Sequence, residues 1–384
     1  EKVDRIYEEP EIKAVSSEKF KPKLKVISID LEGSKKTDEL FCIGIYSEDY
    51  KKNFIISKEE FLNVISCKDE PDLLTKFKEE IIKLDPDIIT GWHVIDFDLA
   101  YLKQRFARYK IPFDIGRTNT NPKINIEQDF FRSSSADIPG RQVLDALNLI
   151  RDPFIKEAPS IKNIKFESYT LEVVSQKILG EGKILKGKGR YDEIEELYEK
   201  NQKKLIEYNL KDCKLAYDIV DKTKTLDLSI ERSTLTGMPL NRITASIAAF
   251  DSLYIREARK KGFVSPTTKY EQREERIKGG YVMESSPGIY NNVLVLDFKS
   301  LYPSIIKTFN IDPASYLENP ENYLKRFSGP QKSMVFKEKK KYVIEAPNKA
   351  YFKNQEGILP EIIEKLHQAR EKAKKEKKEL SSYA

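Results

Sequence analysis

The alternation of apolar and polar residues changes period several times along the 384 residues. Residues 1–22 carry charges and prolines with no clear period and read as a linker or the remnant of a preceding domain. From Lys23 the texture becomes periodic. Residues 25–32 (KVISIDLE) alternate and predict a strand, with a turn at 33–36. Residues 40–46 and 53–56 predict two more strands. Between Asp72 and Leu84, the residues Leu73, Leu74, Phe77, Ile81 and Ile82 recur at helical spacing, and Pro86 marks the end. Residues 87–92 predict a fourth strand, 99–109 a second helix, 141–145 another short strand, and 168–174 and 205–217 further helices. Strands and helices in this order, with acids at strand ends, suit an α/β layer. From about residue 226 the chain reads helical and mixed, with small residues in 244–254 that permit close helix packing. The run Val293 to Leu296 predicts a strand buried on both faces and ending at Asp297. After an irregular stretch over 311–356, Gly357 opens a helix with Ile362, Ile363 and Leu366 on one face. Lys365, Arg370, Lys372, Lys374, Lys375, Lys377 and Lys378 lie on the other.

Composition narrows the chemistry. The length suggests two or three domains. Charged residues make up 34% of the chain but the net charge is only +6, so basicity has to be judged locally. Cys42, Cys67 and Cys213 are far apart and lack CxxC spacing, which reads as buried thiols. His93 and His367 are the only histidines, so a catalytic metal is expected on carboxylates, favouring Mg²⁺ or Mn²⁺ over Zn²⁺. No apolar run approaches the length of a membrane span, and the start EKVDRIYEEP does not resemble a signal peptide. A cytoplasmic location is expected. The chain begins without Met and stops after a long helical pattern, so a piece of a longer protein is expected.

Candidate chemistry comes from the acids. Asp30 and Glu32 are two apart on one strand and point to the same face. Paired acids of this kind also occur on solvated edges. Asp98 closes WHVIDFD (92–98) ahead of a helix, where a helix N-cap is the plain alternative. Tyr208 and Asp212 are four apart on a helix and share a face. A phenol beside a carboxylate orients a water; a tyrosine packed on a helix surface is the simpler reading. Asp297 suits a metal site as a hard oxygen ligand, or caps a helix. The loop 180–190 (GEGKILKGKGR) lacks the GKS or GKT of a phosphate-binding loop and reads as a surface loop, with a flexible basic loop near nucleic acid as the alternative.

Together these strings resemble a known family. Residues 293–306, VLVLDFKSLYPSII, resemble the first palm motif of family B DNA polymerases, DxxSLYPSII. Asp30 with Glu32, Phe97 with Asp98, and Tyr208 with Asp212 resemble the three motifs of a four-acid 3′–5′ proofreading exonuclease, tyrosine variant. The stretches at 91–92 (GW), 178–182 (ILGEG) and 208–213 (YNLKDC) resemble the bacterial DNA polymerase II branch. The resemblance spans about 23–384. It implies an RNase H-like α/β exonuclease domain over 23–225, a partial α+β palm over 226–356, and an incomplete first fingers helix over 357–384.

It further implies Asp30, Glu32, Asp98 and Asp212 as ligands of two Mg²⁺ or Mn²⁺ ions roughly 4 Å apart, with Tyr208 beside the attacking water. In the palm it implies Asp297 and the Phe298 carbonyl as metal ligands, and Tyr302 as the steric gate beneath the incoming sugar. Gly279 and Gly280 match an element where backbone approaches phosphate, although a hinge turn gives the same pattern. Arg370 and Lys374 match positions that grip the triphosphate, on a face that otherwise reads as solvated. One departure is His93, where relatives usually carry Asn at a position that helps place the primer terminus. The family's KxxxNSxYG and DTD motifs do not occur, so nuclease action without synthesis is expected of this stretch. Expected partners are primer–template and single-stranded DNA, deoxynucleoside triphosphates and the remaining palm, fingers and thumb. A sliding clamp is a candidate partner, and the nucleoid the expected place. Two rivals are a free-standing four-acid nuclease, which SLYPSII argues against, and an inactive polymerase-like subunit, which the full set of acids argues against.

Overall fold

The computed structural model describes residues 8, 23–34, 36–127, 134–184, 190–242, 245–267, 279–298, 300–326 and 339–382. The chain divides into two compact units, Glu1–Phe250 and Asp251–Ala384. Apart from Glu8, the stretch expected to be a linker over 1–22 lies outside the described residues. Among the described residues, no helix is long and apolar enough to cross a membrane.

The first unit is organised by a sheet. Its strands are β1 (Val26–Ser34), β2 (Glu39–Tyr46), β3 (Lys51–Ile56), β4 (Val64–Cys67) and β5 (Ile88–Gly91). A separate ribbon, β6 (Lys123–Asn125) with β7 (Ser135–Asp137), precedes β8 (Gln142–Asp145). The six-stranded sheet runs β4-β3-β2-β1-β5-β8. Strands β1 to β3 form an antiparallel meander, while β4, β5 and β8 pair in parallel with their neighbours. Strand β4 is absent from the sequence reading: four residues on a sheet edge carry too short a pattern to register.

Helices α1 (Glu70–Leu84) and α2 (Ala100–Arg108) cover one face. Asp69 caps α1 by accepting the Asp72 N–H at 2.9 Å, and Asp85 closes it in the left-handed region, its N–H on the Ile81 carbonyl at 3.0 Å. Leu73, Leu74, Phe77 and Ile81 of α1, with Leu102 and Phe106 of α2, pack against Ile27, Ile29, Ile43, Ile45 and Phe54 of the sheet. Each such side chain contributes about 1.5–3 kcal/mol on burial. The short α3 (Ala146–Arg151) and α4 (Pro153–Lys156) follow β8, then α5 (Leu171–Leu179), α6 (Arg190–Lys200), α7 (Gln202–Lys222) and α8 (Thr225–Thr236). Helix α7 lies on the other face, where Leu205, Ile206 and Tyr208 pack with Phe41, Cys42 and Ile55. Because side chains alternate along β1, committing Ile27 and Ile29 to the first face commits Ser28, Asp30 and Glu32 to the α7 face. All three cysteines are buried free thiols.

In the second unit the strand expected at 293–296 is not formed. Residues 279–298 have no regular secondary structure, and Leu294 is 79% exposed. A strand needs neighbours to take its N–H and C=O groups and to cover its faces. Among the described residues none pairs with this run. Ordered structure resumes at the helix Leu301–Phe309 and continues in a small sheet of Tyr316–Leu317, Tyr351–Lys353 and Val343–Glu345. The helix Ile358–Ser382 is anchored at its start by two buried residues. Asp312 accepts the N–H groups of Ile358 (3.2 Å) and Leu359 (3.3 Å) and the Tyr254 hydroxyl (2.7 Å). Asn310 accepts the Gly357 N–H at 2.8 Å and donates to the carbonyls of Lys353 and Gln355. Ile358 and Ile362 are buried against Ala258, whereas Leu366 is exposed, so the apolar face is shorter than the sequence pattern suggests.

Replacing Asp312 with Ala removes a helix cap and one of the hydrogen bonds of the Tyr254 hydroxyl. A loss of roughly 2–3 kcal/mol is expected, with Asp312→Asn milder, measured by denaturant unfolding. An unchanged midpoint in Asp312→Ala contradicts the anchoring role.

Candidate active site

Acidic side chains gather on the α7 face of the sheet. Asp30 and Glu32 arrive from β1 and Asp212 from α7, with one oxygen from each lying within 4.8 Å of the others. Asp98 joins them through the connection from β5 to α2. At Gly91 a Cβ would stand 2.6 Å from the Ile29 carbonyl oxygen, so the bare backbone lets this connection lie against β1. His93 follows in the left-handed region (φ 64°). Residues Ile95–Leu99 then make a single π-helical turn, closed by the Leu99 N–H on the Val94 carbonyl at 2.8 Å. Such turns insert one extra residue and often mark functional sites. Asp98 is buried, and its Oδ1 accepts the N–H of Leu31, between the two β1 acids, at 3.0 Å. Burial first, and then the Asp30 charge, hold the Asp98 carboxyl well above the usual carboxylate range.

Helix α7 completes the site because Gly44 lets it approach. Gly44 sits opposite Asp30 in the β1–β2 register. A Cβ there would lie 2.4 Å from Asn209 Oδ1 and 2.7 Å from Cys213 Sγ. Asn209, fully buried, donates from Nδ2 to Asp30 Oδ2 (2.8 Å) and to the Asp30 carbonyl (3.0 Å), and its Oδ1 accepts from Asn53 Nδ2 at 2.6 Å. One residue earlier, Tyr208 is also buried, with its hydroxyl 3.1 Å from Lys183 Nζ. Lys183 Nζ is ion-paired with Asp212. The backbone N–H of Lys183 donates to Glu172 Oε2 at 2.5 Å, fixing the loop that follows α5.

The reading of 180–190 as a surface loop is thus corrected for Lys183, whose side chain is only 9% exposed. A buried carboxylate draws the nearest flexible cation, and the loop is long enough to deliver one. Residues 185–189 lie outside the described residues. Asn209, Asn53 and Lys183 were not singled out from sequence. Asn209 had a signal in its place beside Tyr208, but its contact depends on the missing side chain of Gly44.

The oxygen-rich set of Asp30, Glu32, Asp98 and Asp212 fits a hard divalent cation. The Lys183 ammonium shows that positive charge is accepted at its Asp212 side. His93 belongs to a different group: its Nδ1 faces Asp96 Oδ2 at 3.3 Å, near Asp145.

The remaining predicted residues all lie in the second unit, and none joins a cluster of three candidate metal ligands among the described residues. Asp297 and Phe298 stand exposed in the irregular segment. Tyr302 is in the first turn of the helix Leu301–Phe309, 79% exposed. Gly279 and Gly280 are exposed, with open space where a Cβ would go. Arg370 and Lys374 are exposed on the helix Ile358–Ser382, with Lys374 Nζ 3.7 Å from Glu371 Oε1.

Residues 5–174 match DNA polymerase family B, exonuclease domain, and residues 243–383 match DNA polymerase family B. DNA polymerase II of Escherichia coli (strain K12) is 33% identical over 373 residues, covering 93% of this chain and 43% of that protein. The DNA polymerase delta catalytic subunit of Caenorhabditis elegans is 29% identical over 332 residues, covering 82% of this chain and 28% of that protein. The chain therefore spans less than half the length of these relatives. A family B DNA polymerase from Pyrobaculum calidifontis shares the fold with a TM-score of 0.63 at 24% identity, over 94% of this chain and 44% of that one. Asp30, Glu32 and Asp98 fall inside the first matched range, whereas Lys183, Tyr208 and Asp212 fall after it.

Two measurements test this geometry. Gly44→Ala pushes Asn209 off Asp30 and is expected to cost about 1–3 kcal/mol in unfolding free energy; an unchanged value means that α7 does not pack on bare backbone. Asp98 carries a raised pKa in the folded state, so its contribution to stability is present in acid and lost as pH rises through that value. Asp98→Asn keeps the acceptor for Leu31 and removes the charge. In chelator at neutral pH the variant is expected to be more stable by about 1 kcal/mol, roughly 2–4 °C in Tm. The gain should fade toward about pH 4. A variant less stable than the parent at neutral pH refutes the electrostatic account.

Proposed function

Because the chain belongs to DNA polymerase family B, we propose that its first unit is a metal-dependent 3′–5′ proofreading exonuclease acting on DNA. The observation that carries this reading is the convergence of Asp30, Glu32 and Asp212 with Asp98 one hydrogen bond away. The reaction is hydrolysis of the terminal phosphodiester, releasing one nucleotide. Two Mg²⁺ or Mn²⁺ ions, when bound, supply an activated water and neutralise charge on the phosphate. Asp30, Glu32, Asp98 and Asp212 hold that charge at the sheet. The Tyr208 hydroxyl, steadied by Lys183, orients the attacking water, and Asn209 fixes the Asp30 carboxylate. Burial of these groups keeps the field at the scissile bond strong.

The second unit is proposed as part of a polymerase site for template-directed deoxynucleotide addition. There Asp297 and the Phe298 carbonyl bind metal, Tyr302 excludes a 2′-hydroxyl, Gly279 and Gly280 admit the DNA backbone, and Arg370 with Lys374 holds the triphosphate. Its substrates would be primer–template DNA and deoxynucleoside triphosphates, with the nucleoid as its place and a sliding clamp as a candidate partner. Asp297 stands apart from any cluster of three candidate ligands among the described residues, which supports nuclease action without synthesis by this stretch alone.

The purified chain with Mg²⁺ or Mn²⁺ is expected to shorten single-stranded DNA from its 3′ end. The double variant Asp30→Ala/Glu32→Ala should lose at least about a thousandfold in rate, as groups acting as one catalytic unit do. Tyr208→Phe should lose roughly 10²-fold, the lower end for a residue assisting proton transfer. Degradation by the double variant at the parent rate would falsify the assignment.

A further inference from the structure

A second cluster, separate from the four acids, gathers beside the π turn and the end of β8. His93, Asp96 and Asp145 each bring one donor atom within 4.8 Å of the other two. His93 Nδ1 is a buried atom with no hydrogen-bond partner, although the ring as a whole is half-buried. It stands 3.3 Å from Asp96 Oδ2, close enough for charge contact but not aligned as a hydrogen bond. Bonds of about 2.0–2.1 Å to a tetrahedral metal put neighbouring donors about 3.3–3.4 Å apart, so this spacing suits two corners of a coordination shell.

Each ligand is also held from behind. Asp96 Oδ1 accepts the Ser134 hydroxyl. Asp145 Oδ1 accepts the N–H groups of Leu147 (3.0 Å) and Asn148 (3.2 Å), while Oδ2 accepts that of Ile95 (3.2 Å) and keeps a lone pair. The His93 ring packs edge-on against Phe97 at 5.0 Å between centroids. His93 holds a left-handed backbone (φ 64°), a conformation that a non-glycine residue adopts at a cost and that recurs at ligand clamps. Among the described residues, His93 is the only basic side chain within ion-pairing distance of Asp96.

We propose that His93, Asp96 and Asp145 form a separate cation site for a borderline divalent transition metal of the zinc class. One imidazole and two carboxylates suit such an ion better than Mg²⁺, which prefers oxygen alone. Three protein ligands leave a fourth position for water. The ion would tie residues 93 and 96 to the end of β8 and so brace the π turn that carries Asp98. This inference does not depend on the nuclease reading.

The test uses the full chain in an Asp30→Asn/Glu32→Gln background, stripped with chelator and titrated with Zn²⁺. One zinc per chain is expected by calorimetry and metal analysis. His93 and His367 are the only histidines, so His367→Gln leaves a single imidazole to follow by nitrogen NMR. Zinc should move the Nδ1 resonance of His93 to that of a metal-bound nitrogen. His93→Asn and Asp96→Asn should each weaken binding at least about tenfold. A His93 resonance indifferent to one equivalent of zinc overturns the proposal, as does unchanged affinity in both variants. The NMR arm retains native His93, so it decides even if a variant misfolds.

Discussion

The approach of α7 to the sheet over Gly44 sets the geometry on which the rest of the first unit depends. A helix normally rides on side chains, at a distance fixed by their bulk. At Gly44 there is none, and the Asn209 amide lies where a Cβ would be. From that contact Asn209 reaches Asp30 on one side and Asn53 on the other. Tyr208 and Asp212, on the same helix surface, are carried in with it. A hydrogen-bonded buried amide therefore indexes α7 against both β1 and β3, across sequence separations of 179 residues to Asp30 and 156 to Asn53.

That closeness has an electrostatic cost. Asp30, Glu32, Asp98 and Asp212 crowd a region from which water is largely removed, and Asp98 responds with a raised pKa. Lys183 offsets part of this by bringing an ammonium to Asp212. A single monovalent group serves one carboxylate well and the others poorly, so the cluster keeps its demand for more positive charge. This is the physical sense in which the fold prepares the site for a cation: stability is given up to hold like charges together, and binding returns it.

What could be read in the sequence was local. The two-residue spacing of Asp30 and Glu32 fixes a common face once β1 forms, and the four-residue spacing of Tyr208 and Asp212 does the same on α7. Asp98 was visible as an acid before a helix, but the π turn that rotates it inward was not, because no residue in 95–99 is excluded from an ordinary helix. Lys183 was hidden among lysines, and only the position of Asp212 distinguishes it from its neighbours. Asp145 looked like the end of a strand; its nearness to His93 and Asp96 depends on β8 lying beside β5. Contacts set by strand order leave little trace in a local pattern.

The run Val293 to Leu296 fails for a related reason, and the contrast with β1 is instructive. Both stretches have strong strand propensity. Strand β1 has β2 and β5 on its two edges, a core shared with α1 and α2 on one face and α7 on the other. Val293, Leu294, Val295 and Leu296 have none of these among the described residues and remain exposed. Strand propensity largely measures how well a side chain fits a pleated, half-covered surface, so it has no effect where that surface is missing. Periodicity can therefore announce that a segment is suited to a sheet, while the sheet itself must come from elsewhere in the assembly of strands. The helix Ile358–Ser382 makes the converse point. Its first turn is pinned by Asn310 and Asp312, two polar residues outside it that no apolar pattern would have selected.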